Sequence, residues 1–324
     1  MKKAILVLMM FLFCVTSVAA TSGEALASAS YLMATSSATG NYYRFGSVLA
    51  QIISAKAGVS ITVTSSGGSI ENARLLGSGE NEFALIQTDV NHYALTGTEQ
   101  FAGKSIRRFS AITALYPEMV QIVVSKKSGI QSVLDMKGKR ICVGAAGSGY
   151  EVAARQVLLA HGMTYDDIDE RFLSASEGKN ALQDGQIDAF FMCSGYPNSN
   201  VVELGLTGGI DVISIAPEYV KKLTEMYPFY SPYTTPDDDQ YKIGHTVDSV
   251  SVMAMLVARD DVPEDVIYNV TKVLYENLDE IRLLNSRGNY MTLEGAFRGI
   301  GGNVHPGAAR FYREKGMTVP SKDL

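Results

Sequence analysis

Glycine and hydroxyl-bearing residues are concentrated in three short segments whose chemistry suits anion binding. The segments cover residues 35–42, 64–69 and 144–150, and each lies between a predicted strand and a predicted helix. Glycine lets the backbone approach a ligand closely, and the first turn of a helix presents unpaired N–H groups with partial positive charge. The segments therefore predict an anion site that needs no basic side chain. Helix capping by Ser and Thr is the alternative interpretation of each segment.

Further polar residues at predicted strand ends could orient a ligand. Gln87 follows one strand, Tyr116 ends another, and Ser194 and Tyr196 follow a third. Amide, phenol and hydroxyl groups at such ends can form directional hydrogen bonds. Tyr116-Pro117 could instead be only a turn, and Arg44 could face either a ligand carboxylate or the solvent. The predicted ligand-binding residues are Ser36, Thr39, Gly40, Asn41, Tyr42, Ser65, Ser66, Gly67, Gln87, Tyr116, Gly147, Ser148, Gly149, Ser194, Gly195 and Tyr196.

The sequence lacks the motifs that common catalytic and metal sites require. None of its 4 histidines lies in an HExxH motif or beside a GxSxG serine. The aspartates at 237–239 lack the glycine and glutamate of an EF-hand loop. A net charge of −6 argues against nucleic acid as a partner. We therefore predict a binding protein with no catalytic residues, no metal and no cofactor.

Predicted strands and helices alternate along the chain in two successive series, which is typical of a parallel sheet covered by helices. A polar break at 126–129 separates the series, and an apolar strand at 250–257 follows the completed second series. We infer that the chain returns to its first half there, which predicts a two-lobe α/β fold with hinge crossings near 126 and 248. A ligand cleft is expected between the lobes, where strand ends face each other. The predicted lobes are 28–126 with 248–324, and 127–247.

The individual elements follow from hydrophobic periodicity and from Gly, Pro and Ser at their ends. Residues 228–244 are rich in Tyr, Pro and Asp and are predicted as a loop or irregular strand. The predicted strands are 29–34, 59–64, 83–86, 109–115, 120–125, 140–143, 172–173, 187–192, 212–215 and 250–257. The predicted helices are 43–56, 69–76, 150–161, 177–183, 198–206, 217–226, 263–284 and 306–316.

The first residues have the layout of a cleaved secretory signal. Lys2 and Lys3 precede an uncharged apolar run, and small residues follow it. The run is shorter than the about 20 apolar residues needed to span a bilayer. We predict that residues 1–27 are a signal peptide and that the mature protein is periplasmic. The candidate cleavage sites follow Ala19, Ala20 and Ala27.

Cys142 and Cys193 are the only cysteines after the predicted signal peptide. In an oxidising compartment the two could form a disulfide. They could equally be two buried, small hydrophobic residues. The sequence leaves both interpretations open.

A series of motifs, taken in order, resembles the TAXI family of TRAP-transporter solute receptors. The resemblance covers essentially the whole mature chain, and the combination is more specific than any single motif. Arg44 is a departure, because proline often follows the paired tyrosines in that family. The motifs are TGNYY at 39–43, SSGGSIEN at 65–72, ALIQTD at 84–89, GSG at 147–149, LQDGQIDAFF at 182–191, GYPN at 195–198 and HPGAAR at 305–310.

The resemblance implies a periplasmic binding protein of the "Venus flytrap" fold, class II-like, that delivers its ligand to an ion-coupled TRAP-type membrane permease. It implies glutamate or another acidic amino acid, or a dicarboxylate such as 2-oxoglutarate, as the ligand. It also implies that the ligand-clamping arginine of other TRAP receptors is absent. We expect a monomer. A binding protein for an ABC importer or a sensor kinase would have the same fold and is the alternative.

Overall fold

The computed structural model describes residues 29–38, 40–146 and 148–320, in which strands and helices alternate. The predicted signal peptide lies outside the described residues. The strands are β1 (Ser30–Ala34), β2 (Ser60–Thr64), β3 (Phe83–Gln87), β4 (Phe109–Ser125), β5 (Arg140–Cys142), β6 (Asp169–Arg171), β7 (Ala189–Ser194), β8 (Ile210–Ile213), β9 (Ser231–Thr234) and β10 (Asp248–Arg259). The helices are α1 (Asn41–Lys56), α2 (Ser69–Ser78), α3 (Thr88–Thr96), α4 (Gly149–Ala160), α5 (Ala175–Gln183), α6 (Ser199–Leu206), α7 (Pro217–Met226), α8 (Glu264–Glu276), α9 (Leu278–Leu284) and α10 (Pro306–Glu314).

The strands form one mixed sheet that contains two parallel halves. Its order is β2-β1-β3-β10-β4-β7-β5-β6, with β8 beside β4 and β9 beside β10. Strands β1, β2 and β3 are parallel in one half, and β5, β6 and β7 are parallel in the other. The long antiparallel pair β4 and β10 runs between the halves. The predicted α/β class with two lobes is confirmed, and β4 and β10 connect the lobes.

Strand β4 is one strand of 17 residues, so the prediction of two strands at 109–115 and 120–125 is wrong. Tyr116-Pro117 lies inside the strand and is not a turn. The register between β4 and β10 shifts beside Ala254, and proline, which has no N–H to donate, is tolerated in strands at such irregularities. β4 pairs with β10 as far as Met119 and with β7 from Met119 onward. The sheet therefore passes from one lobe to the other within β4.

Helices cover both faces of the sheet around three apolar cores, one of which extends through both lobes. In the first lobe, α1, α8 and α10 pack on one face through side chains such as Phe45, Ile267 and Phe311. In the second lobe, α5 and α6 pack on β7. Helices α2, α3, α4 and α7 share the remaining core, which includes Leu76 and Val157. The two lobes therefore contact each other through buried apolar side chains as well as through the sheet.

Three local predictions were wrong for identifiable reasons. The short strand expected at 172–173 lies directly before that position, as β6, where it continues the parallel ladder beside β5. The helix expected at 263–284 is two helices, because Asn277 leaves helical geometry and its side-chain amide donates to the Val273 carbonyl at 2.7 Å. Helix α3 was not predicted, because its buried face includes the polar residues Asp89 and Asn91 and therefore lacks apolar periodicity.

Cys142 and Cys193 are both buried and are not bonded to each other. Cys142 is paired in register with Phe190 on the neighbouring strand. Side chains alternate between the faces of a sheet, so Cys193, three residues after Phe190, points to the opposite face. The two thiols belong to separate cores, which agrees with the buried-hydrophobe interpretation.

None of the helices in the described ranges is both long and apolar enough to cross a bilayer.

Candidate functional site

The carboxyl ends of the two parallel sheet halves face each other between the lobes. Gln87 ends β3 in the first lobe, and its side-chain amide points across to the end of β7, 3.5 Å from the Cys193 carbonyl. Gly149 begins α4 in the second lobe, and a Cβ built on it would lie 2.7 Å from Gln87 Oε1. Ligands of open α/β sheets bind at this edge. Gln87 and Gly149, both predicted from the sequence, are therefore brought together.

Glu118 is a buried carboxylate at the centre of this region, and sequence reasoning missed it. It lies in β4 beside the point where the sheet changes lobes, and it is 4% exposed. Tyr42 donates to Glu118 Oε2 at 2.7 Å, and Ser69 in turn donates to the Tyr42 hydroxyl at 3.3 Å. Burial raises the pKa of the Glu118 carboxyl to about 7, although hydrogen bonds from Tyr42 and Gln87 and the charge of Arg287 oppose that rise. Glu118 therefore titrates near neutral pH.

Asp89 is a second buried carboxylate, at the start of α3 directly after β3. It is 2% exposed, and burial raises its pKa to about 7 while backbone N–H groups oppose the rise. Its Oδ1 atom has no hydrogen-bond partner within the part of the chain that the structure describes. Most buried polar atoms are paired, so an unpaired carboxylate oxygen here favours a polar group or water at this position.

Arg287 brings a positive charge to the same region from the end of the first lobe. It lies in the short 3₁₀ turn Ser286–Tyr290, and its guanidinium carbon is 5.4 Å from the centre of the Tyr116 ring. It donates to the Pro197 carbonyl of the second lobe at 3.2 Å, so it crosses between the lobes. Arg287 Nε and the Tyr116 hydroxyl are both buried without a partner among the described residues. Gly195 packs against both side chains, since a Cβ there would lie 3.0 Å from Arg287 Nε.

The predicted loops of the first lobe use most of their hydroxyl groups on each other. Ser66 donates to the Thr35 carbonyl at 3.1 Å and accepts from Gly68 N–H. Ser36 accepts from Tyr43 N–H at 3.3 Å, and Gly67 N–H donates to Glu71 at 2.7 Å. These contacts stabilise the loops before α1 and α2, but the N-cap residues of the two helices are Gly40 and Gly68, so neither helix has the side-chain cap of the capping alternative. Ser65 is exposed, and Gly40 and Asn41 are partly buried.

In the second lobe, three of the predicted ligand-binding residues form hydrogen bonds that stabilise the surrounding scaffold. Ser148 caps α4 by accepting from Glu151 N–H at 3.2 Å. Ser194 accepts from Gln121 and from Asn198, each at 3.1 Å. Tyr196 donates to Asp238 at 2.7 Å, and its ring packs against Tyr241 instead of facing Gln87.

Thr39 and Gly147 lie outside the described residues. Arg44 is exposed, which matches the solvent-facing alternative. One signal in the sequence could have indicated Glu118, because a single acidic residue in a 17-residue apolar strand is rarely buried without a role. Nothing comparable marks Arg287, whose place depends on the turn after α9.

A buried hydrogen-bonded chain joins the lobes beside the site. Gln156 of α4 donates to the hydroxyl of Tyr93 of α3 at 2.6 Å, and Tyr230 donates to Gln156 Oε1 at 2.8 Å. At its rim, Arg155 of α4 forms an ion pair with Glu99 of the first lobe at 2.5 Å. We call Tyr93, Gln156, Arg155 and Glu99 the interlobe latch. Each of its contacts requires the two lobes to be close together.

We expect replacement of Gly149 by alanine to weaken ligand binding about tenfold without loss of stability. The added methyl group would lie 2.7 Å from Gln87 Oε1 and would push that amide out of the cleft, and a charge-assisted hydrogen bond is worth about 1.5–3 kcal/mol. Calorimetric titration and thermal unfolding check this result. Gly209→Ala is the control, because its new Cβ meets only Thr207 Oγ1, at 3.8 Å. Equal affinity of both variants would contradict the proposed place of the ligand.

Within the described ranges, no group of three or more His, Cys, Asp and Glu side chains is arranged to hold a metal ion.

The fold has the architecture of periplasmic solute-binding proteins. It consists of two parallel half-sheets that share two long strands, with polar groups between the lobes. The methylphosphonate complex of PhnD1 from Prochlorococcus marinus superposes with a TM-score of 0.54 at 12% identity, over 80% of this chain and 90% of that chain. A TctC solute binding protein from Polaromonas superposes with a TM-score of 0.51 at 17% identity, over 81% and 88%. The periplasmic aliphatic sulphonate binding protein SsuA from Escherichia coli gives 0.50 at 14% identity, over 82% and 80%.

The chain belongs to the NMT1-like family, whose model matches residues 33–316. At these identities the structural likeness establishes the fold alone. The finer assignment to the TAXI group is a proposal that the motifs of the sequence support.

Proposed function

We propose that the protein is a periplasmic receptor that binds a small acidic solute between its lobes and delivers it to a TRAP-type membrane permease. One observation carries the proposal. Gln87 and Glu118 of the central strands lie opposite the amino end of α4. The Tyr116 hydroxyl and Arg287 Nε lie beside them and have no partner among the described residues. A ligand at this position contacts both lobes only when they are closed, so its binding selects the closed form.

The balance of charges favours an acidic amino acid as the ligand. Arg287 and the amino end of α4 suit carboxylate groups, so Arg287 adds a basic side chain to an anion site that the sequence predicted without one. Glu118 suits the ammonium group of an amino acid, because an ionised carboxylate in a buried site is stable only when it is paired. A dicarboxylate such as 2-oxoglutarate would require Glu118 to be protonated and to donate a hydrogen bond. Glutamate is therefore the first candidate, and 2-oxoglutarate the second.

The lobes are proposed to move about the two strands that they share. β4 changes its pairing partner at Met119, opposite Ser251 of β10. We therefore propose hinge crossings near 119 and 251, each displaced towards the first lobe from the expected positions near 126 and 248. The proposed second lobe therefore extends slightly beyond the predicted 127–247 at both ends. We propose that the protein acts as a monomer.

The TRAP assignment depends on the TAXI-like motifs, and an ABC importer or a sensor kinase is the alternative partner. Two of the structurally similar proteins named above are described as binding a sulphonate or methylphosphonate, so these oxyanions belong in any ligand screen. Two of the similar proteins, SsuA and the TctC protein, are described as binding proteins, and we propose no enzymatic activity. Uptake that stops when the ion gradient is collapsed, and continues when ATP is depleted, would distinguish a TRAP permease from an ABC importer.

A ligand screen with thermal unfolding tests the proposal. A ligand that binds only the folded form stabilises it by about 2.7 kcal/mol at one hundred times Kd. We expect glutamate to raise the Tm of the mature protein, with 2-oxoglutarate, alkanesulphonates, methylphosphonate, neutral amino acids and sugars as comparisons. Stabilisation by neutral solutes alone would contradict the acidic ligand.

The pH dependence of affinity separates the two acidic ligand types. An ammonium group beside Glu118 requires the ionised carboxylate, so the affinity for an amino acid should fall as the pH drops below about 7. A dicarboxylate requires the protonated form, so its affinity should rise over the same interval. Calorimetric titration between about pH 5.5 and pH 8.5 measures this dependence. A flat profile for the bound solute would place it away from Glu118.

A further inference from the structure

A large groove lies on the first lobe, away from the interlobe site. Its volume is about 680 Å³, and it runs between the second half of α2 and the segment 100–108. α2 begins at the carboxyl edge of the sheet, so its second half lies towards the opposite edge. Arg108 also lines the groove and directly precedes Phe109, the first residue of β4. Phe109 pairs with Arg259, the last residue of β10. The groove therefore opens at the pole of the lobe opposite the cleft.

The charged side chains that line the groove are all cationic, although the whole chain has a net charge of −6. Arg74, Lys104, Arg107 and Arg108 line it, and none of them forms an ion pair among the described residues. Two acidic residues lie nearby. Glu80 accepts from Ser78, which lines the groove. Asp261 is ion-paired with Arg259, and that contact, together with the charge of Arg108, lowers the pKa of Asp261. The groove therefore carries an excess of positive charge, because its lining has four cationic and no acidic side chains.

Two of the arginine side chains in the groove are held by contacts with neighbouring residues, and Gln100 provides a hydrogen-bond acceptor. Arg74 donates to the Gln100 carbonyl at 3.2 Å, and its guanidinium carbon lies 5.7 Å from the centre of the buried Phe101 ring. Arg107 Nε donates to the Leu95 carbonyl at 3.1 Å. Two guanidinium groups are thus held in place. The Gln100 side-chain oxygen is buried with no hydrogen-bond partner in the described part of the chain, so it can accept from a ligand hydroxyl.

We propose that this groove is a second binding site, for a phosphate group attached to a hydroxyl-bearing organic moiety. Guanidinium groups match phosphate oxygens by forming two parallel hydrogen bonds. A volume of about 680 Å³ lies within the usual range for small-molecule sites. The same chemistry occurs in a free glycerol phosphate and in the head group of phosphatidylglycerol. The site is independent of the solute that binds between the lobes.

The variant Lys104→Gln with Arg108→Gln tests the proposal in the full mature protein. Both residues are exposed, so their replacement leaves the core intact. The control is Lys137→Gln with Lys221→Gln, which removes the same charge from side chains that are 63% and 77% exposed elsewhere. The probes are glycerol phosphate, followed by calorimetry, and vesicles of phosphatidylglycerol or of phosphatidylcholine, followed by cosedimentation.

We expect the unmodified protein to bind glycerol phosphate or phosphatidylglycerol vesicles, and the groove variant to bind about tenfold more weakly. The control should retain its affinity, and neither variant should change binding of the cleft solute. Binding to the vesicles alone would identify the lipid head group as the source, and binding to glycerol phosphate would identify a free phosphate. The proposal is overturned if the unmodified protein binds neither probe, or if the control loses as much affinity as the groove variant.

Discussion

Replacing Glu118 with glutamine is expected to weaken binding of an acidic amino acid about 100-fold and to stabilise the free protein at alkaline pH. Removing one partner of a buried charge pair costs about 2–5 kcal/mol, and about 2.7 kcal/mol corresponds to a 100-fold change in Kd. Glutamine still accepts the hydrogen bond from Tyr42, which is 2.7 Å long in the native protein. The site therefore keeps its shape and loses only the charge.

The stability effect follows from the direction of the pKa shift. Burial raises the pKa of Glu118 from 4.5 to about 7, so the folded protein binds more protons than the unfolded chain between these values. Glu118 therefore contributes to the free energy of unfolding an amount that is fully present below about pH 4.5 and is lost as the pH rises through about 7. The loss is of the order of 3 kcal/mol, and Glu118→Gln should abolish it. Asp89, whose pKa burial also raises to about 7, should retain its own share of the pH dependence.

Two measurements check this prediction, and they are independent of each other. Calorimetric titration with the solute from the screen gives the affinity, and thermal unfolding at about pH 5 and pH 8 gives the stability. Glu225→Gln is the matched control, because it replaces an exposed carboxylate whose side chain is 66% accessible. A Glu118→Gln variant that binds the amino acid as tightly as the native protein would show that the carboxylate does not contact the ligand.

Replacing Gln156 with leucine is expected to open the free receptor and to weaken its apparent affinity about 30-fold. Gln156 bonds Tyr93 across the lobes at 2.6 Å, and both groups are buried. Leucine would leave the Tyr93 hydroxyl without a partner in the closed form, whereas water can reach it in the open form. An unsatisfied buried group costs about 1–3 kcal/mol. A cost of about 2 kcal/mol on the closed form alone lowers the apparent affinity about 30-fold.

Small-angle scattering of the free protein tests the latch before any ligand is known. Gln156→Leu should increase the radius of gyration, and Glu99→Gln should act in the same direction but less strongly, because its ion pair is partly exposed to solvent. The matched pair is Tyr93→Phe, which removes the bond between lobes, and Tyr230→Phe, which removes the bond to Gln156 Oε1. Identical scattering of the native protein and Gln156→Leu would mean that the latch does not hold the lobes.

Much of the fold was predictable from the sequence, because the elements carry their signals locally. The apolar face of α1 and the continuous buried run of β3 follow from periodicity alone. Conversely, α3 escaped prediction, because residues such as Asp89 and Asn91 are buried there for reasons outside the helix. β4 was divided at Pro117, because proline usually interrupts a strand and only the register shift beside Ala254 accommodates it.

The sequence by itself determined which loops follow strands, and hence that Gln87 and Gly149 lie at strand ends of two different halves. Only the tertiary structure decided that these ends face each other, because the pairing of β4 with both β10 and β7 is a contact between residues far apart in the chain. Only the tertiary structure likewise decided what the hydroxyls of Ser36 and Ser66 do. Ser36 accepts a hydrogen bond from the first turn of α1, and Ser66 donates to the neighbouring loop. Glu118 and Arg287 acquire their roles only from burial and proximity, which no local pattern in the sequence records.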